Sequence, residues 1–238
     1  MSFDEKYFSS HAYKDVSFAR FSQYWWSNRF YAILARRYGR RSTRLLEIGS
    51  GLGHLVGQLE NSFETVATDI NPWALQQSKC IACHSAHVSS RAEDLPFSEN
   101  SFGIVIIKHV VEHLEHPERA IAELGRVIAP DGVLVIATPN LASVMKPWKG
   151  QKWIGYQDPT HISLKPPDEW MRIIREAGFK LETTFSDGFW DAPYIPVIPK
   201  AIQKLIFGSL GGIQAIIGLP FLPLRWGESI IMIARKST

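Results

Sequence analysis

Leu45-Leu46-Glu47-Ile48-Gly49-Ser50-Gly51-Leu52-Gly53 is the stretch that decides the fold. Arg44–Ile48 reads as a short buried strand, and the chain then meets three glycines at alternate positions. Glycine lets a backbone turn tightly and approach a ligand without a Cβ in the way. A helix is expected over Gly53–Glu60, with N–H groups at its start able to face an anionic or polar ligand. A dinucleotide fingerprint would want its third glycine at position 54, where His54 stands. The spacing is therefore G-x-G-x-G, with Glu47 two places ahead of the first glycine.

Outward from this loop, strands and helices alternate. Thr65–Thr68 reads as a second strand, ending at Asp69. Asn71 and Pro72 open a helix as N-cap and first helical residue. A short strand follows near Ala86–Ser89, and Phe102–Lys108 is apolar and β-branched enough for a central strand. A helix over Pro117–Ile128, a strand over Val133–Ala137 and a helix over Pro167–Ala177 come next. Phe179–Phe185 and Ser229–Ala234 close the series. Such alternation predicts an α/β fold: a doubly wound, mostly parallel sheet of seven strands with an antiparallel last strand.

Composition narrows the function. The 238 residues, 45% apolar, suit one α/β domain. A net charge of +3 does not call for nucleic acid as a partner. Two cysteines exclude a disulfide scaffold. The opening Met-Ser-Phe-Asp-Glu-Lys lacks the apolar run of a secretory leader, so a cytoplasmic location is expected. Cys80-Ile81-Ala82-Cys83-His84 matches a haem-attachment string, and His87 lies nearby. Without export or a second ligand pair, neither haem nor zinc is expected there.

The glycine loop, Asp69 after the second strand, Arg91-Ala92-Glu93-Asp94-Leu95-Pro96-Phe97, the run Ile107-Lys108-His109-Val110-Val111-Glu112-His113-Leu114 and the strand before Thr138-Pro139-Asn140 occur in a fixed order. Together they resemble the class I S-adenosylmethionine-dependent methyltransferases, over about residues 40–187 and 228–236. The resemblance implies S-adenosyl-L-methionine as cofactor. Gly49, Gly51 and Gly53 would then pass under its methionine part, with Glu47 near the amino group. Asp69 would hold the ribose, Ile70 would press on the adenine, and Ala92 and Glu93 would line the adenine edge. Lys108 and His109 would stand where cofactor and acceptor meet. Two positions depart from the family pattern: Arg91 replaces an Asp or Asn, and Gly103 replaces an Asp.

Methyl transfer to a hydroxyl needs a base, and histidine suits that role. His161, in Asp158-Pro159-Thr160-His161, is the first candidate and His109 the second; Asp158 could orient a histidine. If a helix starts after Lys108, then His109, Glu112 and His113 share one face. With His161 they form a candidate divalent-metal set, an alternative to the main reading, which assigns no metal.

Two regions flank the sheet. An aromatic N-terminal segment, helical from about Ser17 to Tyr38, is expected to act as a cap over residues 1–40. It runs into Arg36–Arg44, a basic turn with five arginines. The sheet core is expected over 41–187 and 228–238, and an apolar insertion over 188–227. Leu205–Leu224 is uncharged but rich in glycine and proline, and Ser229–Ala234 must return to the sheet, so a membrane span is rejected. Residues 193–224 are expected to form a broken-helix cap over a hydrophobic acceptor or a contact with a membrane surface. The favoured activity is O-methylation of a hydrophobic or lipid-linked hydroxyl. The rivals are a non-catalytic, membrane-associated cofactor-binding protein and a nicotinamide dehydrogenase.

Overall fold

The computed structural model describes residues 16–40 and 43–237. The aromatic residues before position 16, and Arg41 of the basic turn, lie outside them. Seven strands form one sheet in the order β3-β2-β1-β4-β5-β7-β6. They are β1 Arg44–Ile48, β2 Glu64–Asp69, β3 Ala86–Ser89, β4 Phe102–Lys108, β5 Ile128–Pro139, β6 Phe179–Ser186 and β7 Ser229–Lys236. β3, β2, β1, β4 and β5 pair in parallel, and β7 runs antiparallel to both β5 and β6.

The central strands read as continuous apolar runs because both sheet faces are covered. Side chains alternate between the faces. Ile104 and Ile106 join Leu45, Val133 and Val135 under α1 (Gln23–Tyr38). Val105 and Ile107 join Leu46 and Leu134 on the other face, under α3 (Pro117–Val127) and α4 (Pro167–Glu176). α2 (Pro72–Ile81) starts as expected: the Asn71 side chain accepts from the N–H groups of Trp73 and Ala74, and Pro72 is the first helical residue. Gly103 sits where a Cβ would meet Thr43 at 2.8 Å, so its departure from the family pattern serves packing.

Three local expectations are corrected. The helix expected over Gly53–Glu60 is a single 3₁₀ turn, Val56–Gln58; a Cβ on Gly57 would lie 3.1 Å from the Ile81 carbonyl, so the turn lies tight against the end of α2. The segment after Lys108 also forms only a 3₁₀ turn, Val111–His113, because His109 takes a left-handed φ of 53° that no helix contains. α1 begins at Gln23 rather than near Ser17, since Ser22 caps it by accepting from the Trp25 N–H.

The insertion is also different from its expected form. Instead of a broken helix it carries α5, Lys200–Ile217, unbroken through Gly208, Gly211 and Gly212 and ended by Gly218 at φ 67°. Glycine costs a helix about 1 kcal/mol per residue. Packing explains two of them. A Cβ on Gly211 would lie 2.4 Å from the Trp190 ring and 2.5 Å from the Asp187 carbonyl, and one on Gly208 would touch the same ring. Two buried glutamines then fix the helix to its surroundings. Gln203 bonds the backbone of Tyr194, Ile195 and Ile198, and Gln214 bonds that of Ser186, Phe221 and Leu222. Among the described residues no helix is long and apolar enough to cross a membrane.

Candidate active site

The strand order turns back between β1 and β4, and ligands of such sheets bind beyond the carboxyl ends of the strands at that point. There the glycine loop follows β1, Asp69 ends β2, and Lys108 and His109 end β4. Gly49, Gly51 and Gly53 all take positive φ, at 67°, 52° and 81°. A Cβ on Gly49 would collide with Val110 and one on Gly53 with Ser78. The loop is clasped from β2: the Gly51 N–H donates to one Asp69 carboxylate oxygen and the Asn71 N–H to the other, each at 2.9 Å. Burial raises the Asp69 carboxyl, and these amide donors pull against that shift. Ile70, beside it, exposes its side chain. Ala92 is buried, and Arg91 holds Glu93 in an ion pair of 3.3 Å.

Glu47 lies inside, and its Oε2 has no hydrogen-bond partner among the described residues. Burial pushes its carboxyl up to about 8, against the pull of Lys108. The Lys108 side chain meets α1. Its Nζ donates to Asn28 Oδ1 at 2.8 Å and Ser27 Oγ at 3.2 Å and stands over the Tyr31 ring at 4.7 Å, all on α1. Burial brings its ammonium down to about 8. This contact joins residues 80 positions apart, so no local pattern announces it. Asp187, missed altogether, is pushed up to about 6 by burial while its Oδ1 accepts from the Ser229 N–H.

The histidines separate into two roles. His109 Nδ1 meets Glu112 Oε1 at 3.1 Å, and its Nε2 lies a long 3.4 Å from Ser229 Oγ. Burial would raise the Glu112 carboxyl, but the hydrogen bond from His109 and the nearby His113 and His161 hold it below its ordinary value. His161 Nδ1 instead faces the Gly155 carbonyl at 2.7 Å, and its ring centre lies 4.7 Å from that of His113. Asp158 reaches His113 through a relay. Its Oδ1 accepts from Thr160 Oγ1, which in turn meets His113 Nδ1 at 2.8 Å. Cys80 and Cys83 are exposed thiols, and His87 bonds Ser78 at 3.0 Å.

A glycine-loop α/β sheet with an acid at the end of its second strand defines a nucleoside-binding class. A methyltransferase-domain family model matches residues 18–184, and the chain belongs to that family. The chain is 34% identical over 107 residues to a ubiquinone/menaquinone biosynthesis C-methyltransferase of Stutzerimonas stutzeri, covering 41% of this chain and 42% of that one. It is 28% identical over 133 residues to a malonyl-[acyl-carrier protein] O-methyltransferase of Enterobacter lignolyticus, covering 56% and 52%. The chain thus spans about half the length of the curated relatives it matches. Among solved structures, a SAM-dependent methyltransferase from Archaeoglobus fulgidus superposes with a TM-score of 0.60 at 21% identity, covering 88% of this chain and 94% of that one. The [4+2]-cyclase SpnF superposes at 0.61 with 17% identity, covering 88% and 81%. The same fold therefore carries other chemistry, and the site must decide function.

Family and fold imply S-adenosylmethionine, and the residues present fit it. The loop is held in a shape only glycine adopts freely, Asp69 stands at its rim, and the unpartnered Glu47 oxygen suits a cationic group. A proton balance follows. With its carboxyl at about 8, Glu47 is largely neutral near pH 7, whereas a bound ammonium favours the ionised form. Binding of S-adenosylhomocysteine near neutral pH should release protons, and its affinity should rise as pH climbs toward about 8. Calorimetry in buffers of different ionisation heat measures this. No net proton exchange would remove Glu47 as the ammonium partner.

Proposed function

We propose that this chain transfers a methyl group from S-adenosylmethionine to a hydroxyl of a hydrophobic acceptor. The observation that carries the reading is the His109–Glu112 pair at the carboxyl end of β4. A buried carboxylate that receives the Nδ1 proton leaves Nε2 as the basic nitrogen and fixes the ring. The bound cofactor supplies an electrophilic methyl on a sulfonium sulfur. An acceptor oxygen bonding that carbon would release the sulfur with the electron pair of the carbon–sulfur bond. His109 Nε2 receives the hydroxyl proton, exchanging its long contact with Ser229 for the substrate. The carbonyl-bound His161 is less suited to be that base.

The acceptor's apolar character is supported by a groove of about 470 Å³ between α1 and α5, where the aromatic rings of Phe21, Trp26, Phe189 and Trp190 outweigh the polar Gln23, Lys204 and Ser209. Leu205, Ile206, Ile213 and Ile216 also lie exposed along one side of α5, which supports a membrane as the acceptor's source. Replacing Leu205, Ile206 and Ile213 by glutamate should reduce co-sedimentation with liposomes severalfold. The same change should raise the KM for a lipid-linked acceptor and leave S-adenosylhomocysteine affinity unchanged. An unaltered KM removes the membrane from the account.

The test of the reaction is carbon-13 labelling of the cofactor methyl, with NMR of the product formed from hydroxylated aromatic and lipid-linked acceptors. The label should appear as an oxygen-bound methyl. A label on carbon would overturn O-methylation and favour the chemistry named for the Stutzerimonas relative.

A further inference from the structure

We infer that the outer face of α5 and its cationic flanks dock on the anionic surface of a lipid bilayer, with the helix lying in the plane of the interface. The inference deepens the membrane origin proposed for the acceptor. It rests on that reading only for its use in turnover.

A helix on a water-facing surface turns its apolar side to the protein and its polar side outward. α5 does largely the reverse. Its buried positions are Gln203, Gly208, Gly211, Gln214 and Ala215. Ile202, Leu205, Ile206, Ile213 and Ile216 are exposed instead, at the three- and four-residue spacing of one helix face. Leu205 is 74% exposed. Both buried glutamines are engaged by backbone groups, so the inward side needs no water. The outward side is the one that lacks a matching solvent, and hydrocarbon supplies it. At 18 residues α5 is about 27 Å long, enough to lie along a bilayer surface over its whole length.

Charge decides what covers this face. Residues 192–227 contain Lys200, Lys204 and Arg225 and no acid. All three cations are exposed, and none makes an ion pair among the described residues. Residues 132–157 also lack an acid and carry Lys146, Lys149 and Lys152, with Trp148 80% exposed between them. The two segments are tied together, the Val144 N–H donating to the Arg225 carbonyl at 3.0 Å. Tryptophan beside lysine and arginine is the chemistry of a headgroup layer. A second copy of the chain would bring these acid-free segments against themselves, with no carboxylate to pair their cations. An anionic leaflet pairs them all. Lys204 and Leu205 belong both to this face and to the groove between α1 and α5, so the groove opens at the docked surface.

The test sediments the full chain with vesicles of phosphatidylcholine alone and of phosphatidylcholine with phosphatidylglycerol. Binding to the anionic vesicles should be at least tenfold tighter and should weaken as salt is added. One cation near an anionic leaflet is worth about fivefold in binding, so Lys200→Glu with Arg225→Glu should remove most of that preference. Ile206→Ser, Ile213→Ser and Ile216→Ser together should lower binding to anionic vesicles at least tenfold. Their Tm and S-adenosylhomocysteine affinity should match the parent, because these side chains already face outward. Equal, salt-insensitive binding to both vesicles, or parent-like binding by the serine variant, overturns the inference. So does a parent dimer in water that the three serines dissociate, which would give the face to a second copy. None of these readouts needs an acceptor. A carbon-bound label would leave the docking surface standing, and O-methylation of a detergent-dispersed acceptor without vesicle binding would leave the proposed chemistry standing.

Discussion

Asp69→Ala should lower the affinity for S-adenosylhomocysteine at least tenfold. The expected ribose contacts are charge-assisted hydrogen bonds, worth about 1.5–3 kcal/mol each. The structure adds a second effect. Asp69 also receives the Gly51 and Asn71 N–H groups, so alanine releases the loop as well as the ribose. Leaving two buried amides unpaired costs about 1–3 kcal/mol each, and a fall in Tm should accompany the lost binding. Gly51→Val separates the two contributions. Asp69 stays in place, but a β-branched residue is forced to a φ of 52° in a buried loop. It should also weaken binding at least tenfold. Calorimetry on folded variants is the measurement, and unchanged affinity in both would sink the cofactor assignment.

His109→Ala should reduce turnover by roughly 100-fold or more, because positioned bases contribute about that much. Affinity for S-adenosylhomocysteine should stay within a few-fold of the parent. Alanine also strips Glu112 Oε1 of its partner, so part of any loss could be structural. His109→Gln resolves this, since its amide can still donate to the carboxylate but cannot take a proton. Turnover should remain lost in the glutamine variant. Recovery to near-parent rates would make His109 a positioning residue and send the search for the base elsewhere.

The parts of this site legible in the sequence were those set by local chemistry. The glycine spacing, Asp69 at a strand end and Asn71-Pro72 as a helix start need only a few adjacent residues to be recognised. The strands were legible because two covered faces demand apolar runs. Features set by distant packing were not. Lys108 meets Asn28 across the whole first half of the fold. The left-handed turn at His109 has no glycine to announce it, yet it is what aims the ring at Glu112. The glycines of α5 read as helix breakers, yet Trp190 packs against two of them, Gly208 and Gly211. Likewise Asp187 belongs to no motif, and its hydrogen bond from the Ser229 N–H places it near His109.

The most direct test of the central claim is an experimental structure of the chain with S-adenosylhomocysteine. The account predicts ribose hydroxyls within hydrogen-bond distance of the Asp69 carboxylate, the homocysteine part over Gly49–Gly53, and the ammonium near Glu47. Its sulfur should face the His109 side of the β4 end. A ligand bound elsewhere, or bound with its ribose away from Asp69, would contradict it.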